Sequence, residues 1–191
     1  MRSRRRTVSV LATLLVAGAV LTAVVVQVGS DPSFGPAAES GPVGRTVDPP
    51  ATVAGYHQIT GEAAESLSAR LPGTTPERVW FYSATPDDTR PGLIFSASTA
   101  QWSPRLAEEI RTHSLSWGLV NFFAGAKIDD PEDVDAGPLG GAMQCGSQPG
   151  KSAVVCRWGD ASTVGSVAVF GTTDIRRAGA IAVQFRNAAE H

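Results

Sequence analysis

The longest apolar segment of the chain lies near its N-terminus. Residues 8–28 contain no charged side chain in 21 positions. As an α-helix the segment would be about 31 Å long, which matches a bilayer hydrocarbon core about 30 Å thick. Arg2 and the three arginines at 4–6 precede it, and basic residues favour the cytoplasmic side. The pattern predicts a single-pass protein of the cell membrane with a cytoplasmic N-terminus and an extracellular C-terminal domain.

A cleaved signal peptide is the alternative to this anchor. Signal peptides have a shorter apolar core and a small-residue cleavage site behind it. Here the apolar core is long and runs into Gln27-Val28-Gly29-Ser30 without an A-x-A pattern, and no cysteine directly follows that could carry a lipid. The length of the segment favours the uncleaved anchor, and a cleaved signal peptide stays the alternative.

The composition changes behind the apolar segment. Eleven of the 21 residues from 30 to 50 are Pro, Gly or Ser, and one is aromatic. Such a stretch buries too little apolar surface to offset its chain entropy, which is typical of a tether. We therefore expect a cytoplasmic basic N-terminus (1–7), a transmembrane helix (8–28), a tether (29–51) and an extracytoplasmic domain (52–191).

Helical and strand patterns alternate within this domain. A capping threonine predicts a helix over 60–71 that ends at Pro72-Gly73, and Ser103-Pro104 predicts a second helix that ends near His113. Aromatic and β-branched residues predict strands at 78–84 and 93–98, and further stretches follow at 137–146, 152–160 and 166–171.

Two more segments complete the predicted fold. Residues 115–126 are apolar on both faces, which predicts a central strand. Residues 174–189 predict a closing amphipathic helix. Its apolar stripe consists of Ile175, Ala178, Ala182, Phe185 and Ala189. The order β-β-α-β-β-β-α indicates an α+β fold, with an antiparallel or mixed sheet and helices packed on a face, preceded by the N-terminal transmembrane helix.

The charge balance narrows the class of partner. Four of the 16 basic residues lie in the first six positions and all 18 acidic residues lie beyond them, so the outer part carries a formal charge of −6. This charge argues against nucleic acid as a partner, and against a basic surface that docks on anionic lipid.

The two cysteines of the chain, Cys145 and Cys156, flank a Pro-Gly turn. In an oxidising compartment such a pair favours a disulfide across a hairpin, with Cα atoms roughly 4.4–6.8 Å apart. Free thiols and a metal site are the alternatives. None of His57, His113 and His191 has ligand spacing to a cysteine or to another histidine, which disfavours metal.

Two loops resemble ligand-binding motifs but depart from them. Gly146 and Gly150 precede Lys151-Ser152 with three residues between the glycines, whereas a phosphate-binding loop has four and then opens a helix. A turn between two strands is therefore the expected structure. Residues 129–135 hold five acids, but Pro131 and the missing glycine disfavour a calcium loop and favour a solvated acidic loop.

The sequence predicts no catalytic, cofactor-binding or metal residues. No G-x-S-x-G occurs, Glu108-Glu109 point in different directions on a helix, and His113 and Asp160 stand as single candidates. Trp102, Trp117 and Trp158 are expected in the core rather than on a ligand platform.

An ordered signature runs through the last third of the chain. It consists of GPLGG at 137–141, Cys145-Gly146, Cys156-Arg-Trp-Gly-Asp160 and Ser162-Thr-Val-Gly165. With the basic N-terminus, the span and the tether, it resembles uncharacterised actinobacterial single-span, membrane-anchored proteins. The resemblance implies an extracytoplasmic domain without known enzymatic activity, and it supplies no substrate. Many of those proteins have a histidine after the aspartate, where this chain has Ala161.

The expected function is therefore a non-catalytic binding or envelope-associated module. Its partners would be the lipid bilayer, through the N-terminal helix, and a protein or cell-envelope component. An enzyme of unrecognised type is the alternative, and it requires titratable groups that meet in a pocket. A redox role for the cysteine pair has less support, because the pair lacks C-x-x-C spacing.

Overall fold

The computed structural model describes residues 44–71 and 77–191. The predicted cytoplasmic segment, the transmembrane helix, residues 29–43 of the tether and the Pro72-Gly73 stop lie outside these residues. Among the described helices, none has the length and apolarity to cross a bilayer.

The described chain forms eight strands and four helices. The strands are β1 Thr52–Val53, β2 Tyr56–Ile59, β3 Arg78–Ser83, β4 Leu93–Thr99, β5 Glu132–Val134, β6 Ala142–Ser147, β7 Ala153–Gly159 and β8 Thr163–Phe170. The helices are α1 Gly61–Ser68, α2 Pro104–Thr112, α3 Leu115–Gly125 and α4 Ile175–Ala189.

All eight strands form one antiparallel sheet in the order β1-β2-β3-β4-β8-β7-β6-β5. After β4 the chain crosses through α2 and α3 to the far edge. It then returns strand by strand until β8 pairs with β4 at the centre. The structure thus confirms an α+β fold and decides the open alternative, because the described sheet is antiparallel rather than mixed.

Helix α4 covers one face of the sheet. Its predicted stripe is confirmed, since Ala178, Ala182, Phe185 and Ala189 are each fully buried. Phe185 meets Tyr82 edge-on with ring centroids 4.9 Å apart, which is a favoured geometry for aromatic pairs. Other inward residues of this main core include Leu93, Phe95, Met143, Val154, Trp158, Val167 and Val169.

Helices α1 and α3 cover the opposite face. Phe123 of α3 packs in a cluster with Val155 and Ala168 of the central strands. Leu67 of α1 lies in a separate cluster with Phe81. Because successive side chains of a strand point to opposite faces, a sheet covered on both sides is apolar at consecutive positions, as in β7 and β8.

The prediction of a central strand at 115–126 is wrong, because these residues form α3. Ser114 caps this helix, and its Oγ accepts the Trp117 N–H at 3.2 Å. Leu119 and Phe123, four residues apart, bury one face, while Trp117 and Val120 are exposed. A charge-free run has the composition of a strand buried on both faces, but the length of this run is typical of a helix rather than of a strand of four to eight residues.

The predicted boundary of the tether at residue 51 also needs correction. Arg45 and Val47 are each 3% exposed, and Val47 forms an antiparallel bridge with Glu190. Tyr82 Oη donates to the Pro50 carbonyl at 3.0 Å. These residues belong to the fold because a buried arginine and a main-chain bridge fix them, although their Pro/Gly-rich neighbours are typical of a linker.

The disulfide between Cys145 and Cys156 is confirmed. The two residues face each other in the register of β6 and β7, and their Cα atoms are 4.0 Å apart, slightly closer than expected. The predicted turn is confirmed as well, because Lys151 lies between β6 and β7, where its N–H donates to the Gln148 carbonyl at 3.1 Å. No helix follows this loop, so it lacks the geometry of a phosphate-binding loop.

Removal of this disulfide should destabilise the domain. The bridge closes a loop of about 12 residues, for which the chain-entropy model gives about 3 kcal/mol. We expect Cys145→Ala/Cys156→Ala to lower the free energy of unfolding of the full chain in detergent by that amount, measured by urea denaturation. Reductant should weaken the wild type and leave the variant unchanged. Equal stability of the two proteins without reductant would contradict the prediction.

Candidate functional site

Asp160 lies in the tight turn between β7 and β8. Its Oδ1 accepts the backbone N–H groups of Ser162 at 2.7 Å and Thr163 at 2.8 Å. The side-chain carboxylate thereby closes the turn locally, as Asp commonly does. Asp160 is only 1% exposed, so its charge requires compensation inside the protein.

Two guanidinium groups supply this compensation. Asp160 Oδ2 lies 2.7 Å from Arg186 Nη2 and 2.9 Å from Arg45 Nη1. Glu190 Oε2 lies 3.2 Å from both arginines, and Glu190 Oε1 accepts the Trp158 indole N–H at 2.7 Å. We call these five residues the buried ion network. It joins the first described residues, the β7–β8 turn and the end of α4.

Main-chain carbonyls between β5 and β6 satisfy further donors of the two arginines. Arg45 Nη2 donates to the Leu139 carbonyl at 3.1 Å. Arg186 Nη1 donates to the carbonyls of Ala136 and Gly140. The GPLGG segment reaches this position because Gly141 adopts a φ of +80°, and a Cβ at Gly141 would lie 2.2 Å from the Gly159 carbonyl oxygen.

The ordered signature of the sequence surrounds this network. Trp158 and Asp160 are members of it, and Cys156 precedes them on the same strand. Gly165 faces Trp158 across β7 and β8, where a Cβ would lie 2.3 Å from the indole ring. The signature residues therefore have a structural role, because they allow a large indole and four charged side chains to be buried together.

The network is neutral and closed, which makes it a poor acid–base site. Burial by itself would raise the pKa of Asp160, but the N–H groups of Ser162 and Thr163, together with Arg45 and Arg186, outweigh it and lower this pKa. The carboxylate thus stays ionised, and its hydrogen-bond donors occupy the positions from which it could accept a proton from a substrate. We interpret the network as a structural element.

The other candidates from the sequence are not brought together. His113 is exposed and stacks on Trp117 with ring centroids 3.8 Å apart. Glu108 and Glu109 pair with Arg111 and Arg105 on the surface of α2. Within residues 44–71 and 77–191, no group of three or more His, Cys, Asp or Glu side chains is placed to hold a metal ion.

The acidic stretch 129–135 contains an element that the sequence did not predict. Its residues 132–134 form β5, the edge strand next to β6, and Asp133 Oδ1 accepts Gln144 Nε2 at 2.9 Å. A shallow groove of about 340 Å³ lies where this edge meets α4. Its lining residues are Val134, Asp135, Gly137, Gly179, Ala180 and Val183. With one carboxylate in its lining, the groove lacks a titratable pair.

A second polar cluster lies on the α3 side of the sheet. Glu77 contacts Arg157 Nη1 and Ser96 Oγ at 2.6 Å each, and Ser96 Oγ lies 2.7 Å from Ser166 Oγ. The Arg157 guanidinium lies 4.6 Å from the centroid of the Phe122 ring. Because its carboxylate and guanidinium are already engaged with each other, this cluster also has a structural role.

The exposed side of α3 differs from the rest of the surface. Trp117 is 43% exposed and Val120 is 61% exposed, so the prediction that Trp117 is a core residue is wrong. They are the exposed large hydrophobic residues of the described chain. No charged side chain occurs from residue 114 to 126. An apolar helix face without cover is typical of an interaction surface.

Sequence reasoning missed three members of the network, although two signals were available. Arg186 follows Ala182 by four residues and therefore falls on the buried side of α4, where a charge needs a partner. Glu190 lies four residues beyond Arg186, at i,i+4 spacing. For Arg45 the local sequence carries no such signal, because only the folded chain brings it to Asp160, 115 residues away.

Neutralising Asp160 should destabilise the fold. Asp160→Asn keeps the shape of the side chain but leaves two buried guanidinium groups with one carboxylate. Removing one partner of a buried ion pair costs about 3–5 kcal/mol. We expect a loss of that size in urea denaturation of the full chain in detergent. The control Asp129→Asn alters an exposed acid and should stay within about 0.5 kcal/mol. A small effect at both positions would contradict a structural role for the network.

The same carboxylate predicts acid sensitivity. Because the folded-state pKa of Asp160 is lowered, its stabilising effect is present above the unfolded-state pKa of about 3.9 and is lost as pH falls through the folded-state value. The stability difference between wild type and Asp160→Asn should therefore be full at pH 5 and shrink towards pH 2. Urea midpoints across this range measure the difference, and a constant value would contradict the prediction.

The comparisons leave the function to be argued from the site. No family model matches the chain, and neither the curated proteins nor the solved structures gave a match. Function resides in particular residues rather than in the fold class. Two features therefore carry the functional argument, namely a closed ion network that holds the domain together and the uncovered apolar face of α3.

Proposed function

We propose that the chain is a single-pass membrane protein whose extracytoplasmic α+β domain is a non-catalytic, envelope-associated module. The observation that carries this proposal is a contrast between two kinds of side chain. The charged groups of the buried ion network are committed to one another, whereas α3 presents Trp117 and Val120 to the surroundings. Such a domain is suited to binding a partner or a surface rather than to catalysing a reaction.

The geometry around Asp160 supports a non-catalytic domain. A catalytic acid or base needs room within hydrogen-bond reach for the proton it transfers. Asp160 is enclosed by Arg45, Arg186 and its own turn. His113 stacks on Trp117 in the open. The enzyme alternative needs a pocket in which two titratable groups meet, and the groove beside α4 does not provide a pair.

The location of the domain is supported by the sequence and by the disulfide. The arginines before residues 8–28 favour a cytoplasmic N-terminus, which directs the rest of the chain outward. Disulfides persist in oxidising compartments, and Cys145 and Cys156 form one. Both cysteines are fully buried, which supports a structural bridge over a redox role that requires access to the sulfur atoms.

The orientation can be tested with tags at the two ends. In intact cells stripped of their wall, external protease should remove a C-terminal tag and spare an N-terminal tag, because only the domain is exposed. The full-length chain should sediment with membranes and resist alkaline carbonate. A C-terminal tag that is protected, or a shortened chain released into the medium, would contradict the proposed anchoring. Lysed cells, in which both tags should be digested, are the control.

A further inference from the structure

The outer face of α3 carries exposed apolar side chains beside the exposed Asn121 and the His113 ring, which stacks on Trp117. We define it by Trp117, Val120 and Ala124, which are spaced three and four residues apart and are all exposed. Leu119 and Phe123 anchor the helix on the sheet from the other side. The helix that carries this face is therefore packed on the core from its other side.

The described chain begins near the end of the sheet where α3 begins. Arg45 is bonded to Asp160, which follows Gly159 at the end of β7. A Cβ at Gly159 would lie 3.6 Å from Leu115 Cδ2, at the first residue of α3. Arg45, on the α4 face of the sheet, and the start of α3, on the opposite face, therefore lie at the same end of β7.

The sequence limits how far the domain can lie from a membrane. Fifteen residues, 29–43, separate the predicted span from Gly44. A chain of that length reaches at most about 50 Å. Helix α3, with 11 residues, is about 16 Å long, so its whole outer face lies within this reach. Because such a tether joins the domain to the membrane, contact between the domain and the bilayer is effectively intramolecular. Weak contacts then suffice to hold the domain on the bilayer.

We propose that the outer face of α3 lies on the outer surface of the bilayer, with Trp117 at the level of the lipid headgroups. This inference rests on the proposed membrane anchoring. Tryptophan is enriched at this level because its ring is apolar and its N–H is polar. The contact is apolar rather than electrostatic, in keeping with a helix that has no charge and a domain of net negative charge.

The size of the patch favours lipid over a protein partner. Trp117 exposes 43% of its surface, on the order of 100 Å² for a side chain of about 250 Å². Stable protein interfaces bury about 800 Å² on each partner. The exposed apolar part of this face consists of two large side chains and one small one. A tethered helix face on a membrane has no such requirement, because the anchor already holds it there.

Photo-crosslinking of the full chain in vesicles tests the proposal. A benzophenone amino acid replaces either Val120, on the outer face of α3, or Gln184, which is exposed on α4 across the sheet. The protein is reconstituted in phosphatidylcholine vesicles and irradiated, and lipid adducts are quantified by mass spectrometry. We expect at least fivefold more lipid adduct at position 120 than at position 184. Adding anionic lipid should not raise the yield at position 120.

Three results would overturn the proposal. Equal lipid adducts at the two positions would show that the domain has no preferred face. Crosslinks from position 120 to a second copy of the chain would assign the patch to self-association. A yield of lipid adduct at position 120 that is unchanged by Trp117→Ser would show that the indole does not contribute to the contact. Carbonate extraction of the same vesicles distinguishes a failure of this proposal from a failure of the proposed anchoring. A chain released into the supernatant would overturn the anchoring as well.

Discussion

The fold depends on the interaction of the buried Asp160 carboxylate with the guanidinium groups of Arg45 and Arg186. Moving a charge from water into a protein interior costs several kcal/mol, and mutual attraction offsets this cost only when every donor and acceptor is used. Here Arg45 and Arg186 approach the same oxygen, Glu190 contacts both arginines, and backbone carbonyls take further donors. Because these groups satisfy one another, removing one of them leaves a charge that the interior cannot accommodate.

This requirement explains several features around the network. Trp158 is fully buried and donates its N–H to Glu190, so the largest side chain of the core depends on the same carboxylates. The backbone of residues 137–141 has to approach closely, which requires glycine at position 141. The C-terminus of α4 and the first described residues pair through Val47 and Glu190 because both segments contribute a charge to one place. Sequence-distant parts of the domain are thereby held in one arrangement.

Much of this fold was predictable from local patterns, and the failures have physical causes. Strand-forming residues, the Ser103 cap and the closing stripe predicted β3, β4, α2, α4 and the disulfide hairpin, because each of these signals lies within a few residues. Helix α1 was predicted as well, although the side chain of Thr60 makes no cap hydrogen bond. The segment that became α3 was misassigned, since a charge-free run has the same composition in a buried strand and in a half-exposed helix. The buried ion network could not be predicted as a unit, because Arg45 and Asp160 are 115 positions apart in the sequence. The exposure of Trp117 could not be predicted either, because it depends on how α3 lies on the sheet.

Arg45 also has a mechanical consequence. In a chain anchored as proposed, a pull between the membrane and the domain reaches the described residues at Gly44, directly before Arg45. Arg45 is bound to Asp160, Glu190 and Leu139, and Thr46 exchanges two main-chain hydrogen bonds with His191. Load is therefore taken up first by the best-protected charges of the protein rather than by an edge strand. A pull at this point would have to separate buried ion pairs and two main-chain hydrogen bonds before it reached the sheet.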